Sequence, residues 1–146
     1  MDVLNSRILR VNLEKLRQLN PKFQPKVKAV LLDLAGKGWQ PIIADAWRSP
    51  AEQMLNYRRG YSKVTFSFHN CCDPLTGNAD ALAADIVDAR WYWNMPLVKR
   101  LLFIKHIVSS CRAHELQSGA LWKMRDWAHC ETKAVTLAEA KAGKRP

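Results

Sequence analysis

The sequence predicts an α+β fold: one compact domain over residues 1–146, with a small, mostly antiparallel sheet flanked by helices. Three observations predict it. Phe23, Val27, Val30, Leu31 and Leu34 recur at helical spacing, and so do Leu97, Leu101, Ile104, Val108 and Cys111. Trp39 to Asp45 and Leu82 to Val87 are short, β-branched or apolar, and of strand length. At 146 residues and 48% hydrophobic, the chain is about one domain long and too apolar for disorder. It carries no internal repeat and no low-complexity linker.

Taken in order, a first helix is expected within 6–19 and a second over 24–35, where Gly36 and Gly38 supply a stop. Ile42 and Ile43 centre the first strand. Ser49-Pro50-Ala51-Glu52 then reads as a helix start, with a serine cap, proline at the first helical position and glutamate three residues after the cap. That helix should run to about Arg59 and stop at Gly60. Tyr61 to Ala81, with Pro74 and Gly77, reads mostly as loop, and Leu82 to Val87 as a buried strand. A long helix should fill much of 96–115, burying the face that carries Leu97 and Leu101. Two short strands follow Gly119, near 120–123 and 128–131, and the tail from Val135 to Pro146 is expected to be a frayed, basic helix.

With 23 Lys and Arg against 13 Asp and Glu, the formal charge is +10, and the cations are scattered rather than gathered in a run. Such a balance implies a polyanionic partner: nucleic acid, anionic lipid headgroups or a bacterial wall polymer. No helix-turn-helix, zinc-finger or aromatic RNA-binding signature is present, so sequence-specific nucleic-acid recognition is not expected. Asp2 and Arg7 interrupt the start of the chain, and the apolar run from Ala29 ends at Asp33, far short of the roughly 20 residues that cross a bilayer. Synthesis in the cytoplasm without a signal peptide is the expectation, with no transmembrane segment and a monomeric chain. Cys71, Cys72, Cys111 and Cys130 show no CxxC spacing and are expected as free thiols.

Three distant segments each offer a zinc ligand or a base: Ser67-Phe68-His69, Ala83-Ala84-Asp85 and Asp126-Trp127-Ala128-His129. Two imidazoles and one carboxylate leave a zinc ion an open fourth position, where bound water becomes nucleophilic near neutral pH. Bland readings stand beside this one. His129 next to a tryptophan would serve as a satisfied core residue, Asp85 as a strand-end cap, Asp126 as a turn former, and Arg48 as one half of an ion pair. His69 with Cys71, Cys72 and either Cys111 or Cys130 would form a closed structural zinc site instead. Cys130 should face away from its neighbour His129. His106 and His114 have no evident carboxylate partner and read as solvated or structural. Most of the six tryptophans should be core, with one or two left to line a groove.

The order of the motifs Ala46-Trp47-Arg48-Ser49-Pro50-Ala51-Glu52-Gln53, Gly60, Ser67-Phe68-His69-Asn70, Ala83-Ala84-Asp85-Ile86 and Asp126-Trp127-Ala128-His129-Cys130-Glu131 resembles the D-alanyl-D-alanine carboxypeptidase and L-alanyl-D-glutamate endopeptidase family of zinc peptidases. The likeness spans about residues 20–132 and leaves 133–146 as a basic tail. It implies one Zn2+ per chain at the sheet edge, held by His69, Asp85 and His129, with Asp126 as general base. Arg48 matches an arginine near the substrate, and Gln53 and Ser67 match supporting substrate-site positions. The implied substrate is a peptidoglycan stem peptide, cut between L-Ala and D-Glu or, second, between D-Ala and D-Ala. The implied setting is a phage-type endolysin acting on the bacterial wall after release and attracted to anionic envelope polymers.

The chain departs from the family pattern by an insertion covering Cys71 to Asp80 and by Ala81 in place of a motif glycine. Asp80 therefore competes with Asp85 for the ligand role, and Asp73 is a weaker competitor. Asp85 is preferred because its apolar strand context would hold a ligand rigidly. The alternative function is a non-catalytic basic protein on the same fold that binds nucleic acid or cell wall.

Overall fold

A computed structural model of the protein describes residues 3–123 and 126–146. Helix α1 spans Val3–Leu16, and α2 spans Gln24–Gly36 and buries Val27, Val30 and Leu34. A left-handed Gly38 (φ +89°) turns the chain into strand β1, Pro41–Asp45. Helix α3, Pro50–Arg58, opens as the sequence predicts: the Ser49 side chain accepts the Glu52 amide at 3.1 Å, satisfying one of the orphan donors of the first turn. A loop with one 3₁₀ turn, Phe68–Asn70, leads to β2, Ala83–Asp88, whose six residues are all buried. Helix α4 is Leu97–Ala113, β3 is Leu116–Ser118, β4 is His129–Thr132 and α5 is Leu137–Lys141.

The four strands form one antiparallel sheet in the order β1-β2-β4-β3. Helices α2 and α4 pack against each other over one face, and the core there includes Ile43, Ala84, Ile86, Phe103, Ile107 and Cys130. On the opposite face Ile42, Val87 and Ala128 are covered by Ile8 and Val11 of α1. A register shift between Ile43 and Asp45 brings Asp45 opposite Asp85, and Asp85 is opposite His129. Since residues opposite each other in antiparallel strands share a face, the bulge completes a polar row across three strands, Asp45–Asp85–His129. That row lies at the rim where β4 begins, beyond the patch that α1 covers.

Four expectations are corrected. On α4 the buried residues are Phe103, Ile107, Ser110 and Cys111, while Leu97 and Leu101 are exposed. The strand expected near 120–123 lies at β3, and Gly119–Leu121 forms a 3₁₀ turn. The C-terminal segment is anchored rather than frayed. A reciprocal cap between Thr136 and Glu139 starts α5, Ala140 is buried, and Arg145 donates to Asp80 Oδ2 (2.7 Å) and to the Cys72 carbonyl (2.6 Å). His114 does have a carboxylate partner, with Nε2 2.8 Å from Asp33 Oδ2. Among the described residues, no helix is long and apolar enough to cross a membrane.

Candidate metal centre

Each side chain of the polar row is fixed by its local backbone. Asp85 and His129 project from the two central strands as register partners. His69 arrives from the loop, and the Ser67–Asn70 capping box shapes its 3₁₀ turn: the Ser67 hydroxyl accepts the His69 amide (3.2 Å) and Asn70 Oδ1 accepts the Ser67 amide (2.7 Å). Three bonds then stitch this turn to the segment after β1. The Arg48 amide donates to the His69 carbonyl (2.9 Å), Asn70 Nδ2 to the Arg48 carbonyl (2.9 Å), and His69 Nδ1 to the Ala46 carbonyl (2.5 Å). Asp126 is held by its amide bond to the Gly119 carbonyl (3.0 Å), and its own carbonyl accepts the His129 amide (3.2 Å). Trp127 anchors the same segment against Phe103 of α4, with ring centroids 5.8 Å apart.

His69 Nε2 lies 3.4 Å from Asp85 Oδ1, and His129 Nδ1 lies 3.1 Å from the same oxygen. All three ligand atoms fall within 4.8 Å of one another, and all three residues are buried. Tetrahedral zinc with ligands at about 2.0 to 2.2 Å needs them about 3.3 to 3.6 Å apart; the His69–Asp85 separation falls in that range and the His129–Asp85 separation is slightly shorter. The remaining ring nitrogens are also occupied as a metal site requires: Ala46 accepts from His69 Nδ1, and Glu131 Oε1 accepts from His129 Nε2 at 2.9 Å. Asp126 Oδ2 stands 3.9 Å from His129 Nδ1.

Burial and mutual hydrogen bonds set the ionisation of the cluster. Burial would raise the Asp85 carboxyl, but hydrogen bonds from His129 and His69 hold it well below the usual carboxylate range. Burial opposes a charged His129, yet the bonds to Asp85 and Glu131 prevail and raise it to about 10. Burial and then the neighbouring Asp85 charge raise Asp126. Three carboxylates thus crowd two imidazoles, an excess of negative charge that a divalent ion would neutralise.

These residues line a cleft of about 400 Å³ that also presents Arg48, Gln53, Ser67, Trp122 and Leu137. Arg48 is clamped by Asp45 and by Gln53 Oε1, the latter at 2.8 Å. Gln53, fully buried, uses its amide nitrogen on Ser62 Oγ (2.9 Å) and the Val64 carbonyl (2.8 Å), so it supports Arg48 and the cleft wall together. Ser67 faces the cleft and also caps the His69 turn.

The competitors are accounted for elsewhere. Asp80 is buried against Asn20 Nδ2 (3.0 Å) and Arg145. Asp73 Oδ1 accepts the amides of Leu75 and Thr76, closing the inserted turn. Cys130 turns away from His129 into the core, its Sγ 3.4 Å from that of Cys111, and all four cysteines are free thiols. His106 Nδ1 accepts from Trp39 Nε1 at 2.9 Å. Three neighbours of the cluster have no role assigned to them in the sequence, although Glu131 stands in the last motif and Trp122 is one of the six tryptophans. Glu131 carried a signal, an acid two residues after His129, which on a strand returns to the same face. Trp122, its ring centroid 5.0 Å from that of His129, gave none, and neither did Gly119.

No family model and no curated protein matches the sequence. Among solved structures, the fold is similar to the Serratia marcescens L-Ala D-Glu endopeptidase ChiX, at TM-score 0.60 and 21% identity over 92% of this chain and 91% of that one. It is also similar to the LdcB LD-carboxypeptidase, whose structure concerns peptidoglycan recognition, at TM-score 0.52 and 14% identity over 85% of this chain and 68% of that one. A polar row across an antiparallel sheet, flanked by helices on both faces, is therefore set in the fold of these two peptidases.

Proposed function

We propose that residues 1–146 form a zinc-dependent peptidoglycan peptidase domain. It hydrolyses a stem-peptide amide bond, L-Ala–D-Glu in preference to D-Ala–D-Ala, in the manner of a phage-type endolysin. The observation that carries this reading is the convergence of His69 Nε2, Asp85 Oδ1 and His129 Nδ1 at one end of a cleft, with Asp126 beside them. The fold's likeness to an endopeptidase and a carboxypeptidase supports it. The basic balance of the chain suits an anionic envelope, reached after cytoplasmic synthesis and release.

His69, Asp85 and His129 would hold the ion, with Ala46 and Glu131 fixing the two imidazoles in the ligating tautomers. Bound zinc in such a site supplies an activated water and polarises the scissile carbonyl. Asp126, half-exposed toward the cleft, accepts the proton of the attacking water and returns it to the leaving amine. A raised carboxyl suits both transfers. Arg48, always charged and held by Asp45 and Gln53, steadies negative charge developing on the substrate. No covalent intermediate is required.

Incubating purified protein and zinc with isolated sacculi, followed by mass spectrometry of the released muropeptides, tests the reading. New amino termini at D-Glu are expected. Asp126→Asn should lower the rate about 10²- to 10⁴-fold while the zinc content stays at one per chain. Intact sacculi with fully loaded protein would overturn the assignment.

A further inference from the structure

The cleft does not end at Arg48. Val64, Phe66 and Leu137 belong to its wall and also to the wall of an adjoining groove, completed by Tyr57, Lys63 and Lys141. The two cavities therefore share a side, and an extended ligand leaving the metal end would pass into the second. Their chemistry differs sharply. Asp85, Asp126 and Glu131 line the first together with Arg48, while the charged side chains that line the second, among the described residues, are the two lysines.

Both lysines are exposed, and neither forms a hydrogen bond or an ion pair among the described residues. The nearest acid in sequence to Lys141, Glu139, is already engaged by Lys144 at 2.5 Å and by the Thr136 cap. Lys141 stands one helical turn from Leu137 on α5, so it is on the same side of the helix as the residue that forms the common wall. Lys63 lies beside Val64, whose carbonyl is fixed by Gln53. Two cations without side-chain partners among the described residues thus stand beside an apolar surface of Phe66, Val64 and Ala138, a setting that suits a carboxylate on an extended ligand.

Resting on the proposed peptidase activity, we propose that Lys63 and Lys141 form a specificity subsite for a carboxylate of the stem peptide outside the scissile amide. Besides the chain end, a stem peptide whose third residue is a carboxylated diamino acid carries two such groups, the α-carboxylate of D-Glu beside the scissile bond and the side-chain carboxylate of the third residue. Both offer the same chemistry to the lysines.

Synthetic stem peptides, with both carboxylates free, with either one amidated, or with both amidated, should be compared on the wild-type protein and on Lys63→Glu/Lys141→Glu. The wild type should prefer the free acid, and the double variant should raise KM about tenfold on that peptide with little change in kcat. The amidated position that abolishes the difference identifies the group bound. Equal KM for all four peptides on both proteins would overturn the subsite. Calorimetric binding of the same peptides keeps the two readings separable. If nothing is cleaved but the wild type binds the acid more tightly than the amide and the variant does not, the peptidase reading fails and the subsite stands. If cleavage occurs with no discrimination, the reverse holds. Lys63→Gln/Lys141→Gln removes charge without reversing it, and its circular dichroism and melting temperature check that α5 remains folded.

Discussion

Gly119 shows how tightly the reacting corner is assembled. A Cβ at that position would lie 2.6 Å from the Asp126 carbonyl oxygen, 3.0 Å from the His129 Cβ and 3.1 Å from the Asp126 Cβ. The first is closer than side chains tolerate and the other two are tight, so the backbone carrying Asp126 and His129 would have to move. Gly119→Ala should lower kcat/KM about 10²-fold, the cost of a displacement near 1 Å at a reacting group, with little loss of melting temperature. Steady-state kinetics beside a thermal melt decides it. Glu131 holds His129: on the proposed zinc site, Glu131→Gln weakens the acceptor for His129 Nε2 and should reduce zinc affinity about 10- to 100-fold in a chelator competition. Neither residue was legible as a site residue. Gly119 owes its role to a close approach between the end of β3 and the segment entering its neighbour β4, which only the fold brings about, and a lone acid after His129 has several ordinary uses on a strand.

At the scale of elements, α2 and α4 are tied by Asp33, which accepts from Ser110 Oγ at 2.6 Å and contacts His114 Nε2 at 2.8 Å. The Ser110 hydrogen bond, and then His114, hold the Asp33 carboxyl below its ordinary value. A carboxyl lowered by folding stabilises the native state above its unfolded pKa, and that contribution is lost as pH falls through the folded value. Asp33→Asn should therefore lower the melting temperature near neutrality, and its melt should converge with the wild type's in acid. Because Asp33 is 41% exposed, solvent screening limits the effect to about 1 kcal/mol or less. A difference that persisted unchanged in acid would assign the link to packing alone.

The same helix marks where sequence reading stops. Leu97, Leu101, Ile104, Val108 and Cys111 form a consistent stripe, but so do Phe103, Ile107, Ser110 and Cys111, and the second is the one buried. Periodicity identifies a helix with apolar stripes, and only the neighbouring sheet selects between them. The start of α3, by contrast, was legible to the residue because its cap is a local interaction between Ser49 and Glu52. Strand β3 was displaced because Gly119 reads as a divider before a strand, whereas here it closes one. The ordered motifs pointed to His69, Asp85 and His129, which converge as expected, but the Asp33–His114 link spans distant segments and left no pattern.

Across the whole molecule, the part-buried Asp80–Arg145 pair joins the inserted turn after His69 to the segment that follows α5. Arg145 also donates to the carbonyls of Ala140 and Lys144, so a single guanidinium organises the end of α5 and the turn that holds Cys72. Arg145→Ala strands the Asp80 carboxylate with only Asn20 as partner and should cost about 3 kcal/mol, measurable as a lower urea midpoint with unchanged m-value. Through Leu137 the loss should reach the cleft as well, raising KM before the fold is lost.

This clasp bears on how the protein can be handled. Affinity tags and fusion partners are routinely joined to whichever terminus is convenient, on the premise that chain ends dangle in water. Here Arg145 sits one residue from Pro146 and is itself part of the packed structure. A foreign segment joined at Arg145 without a generous spacer would therefore tug on a groove wall.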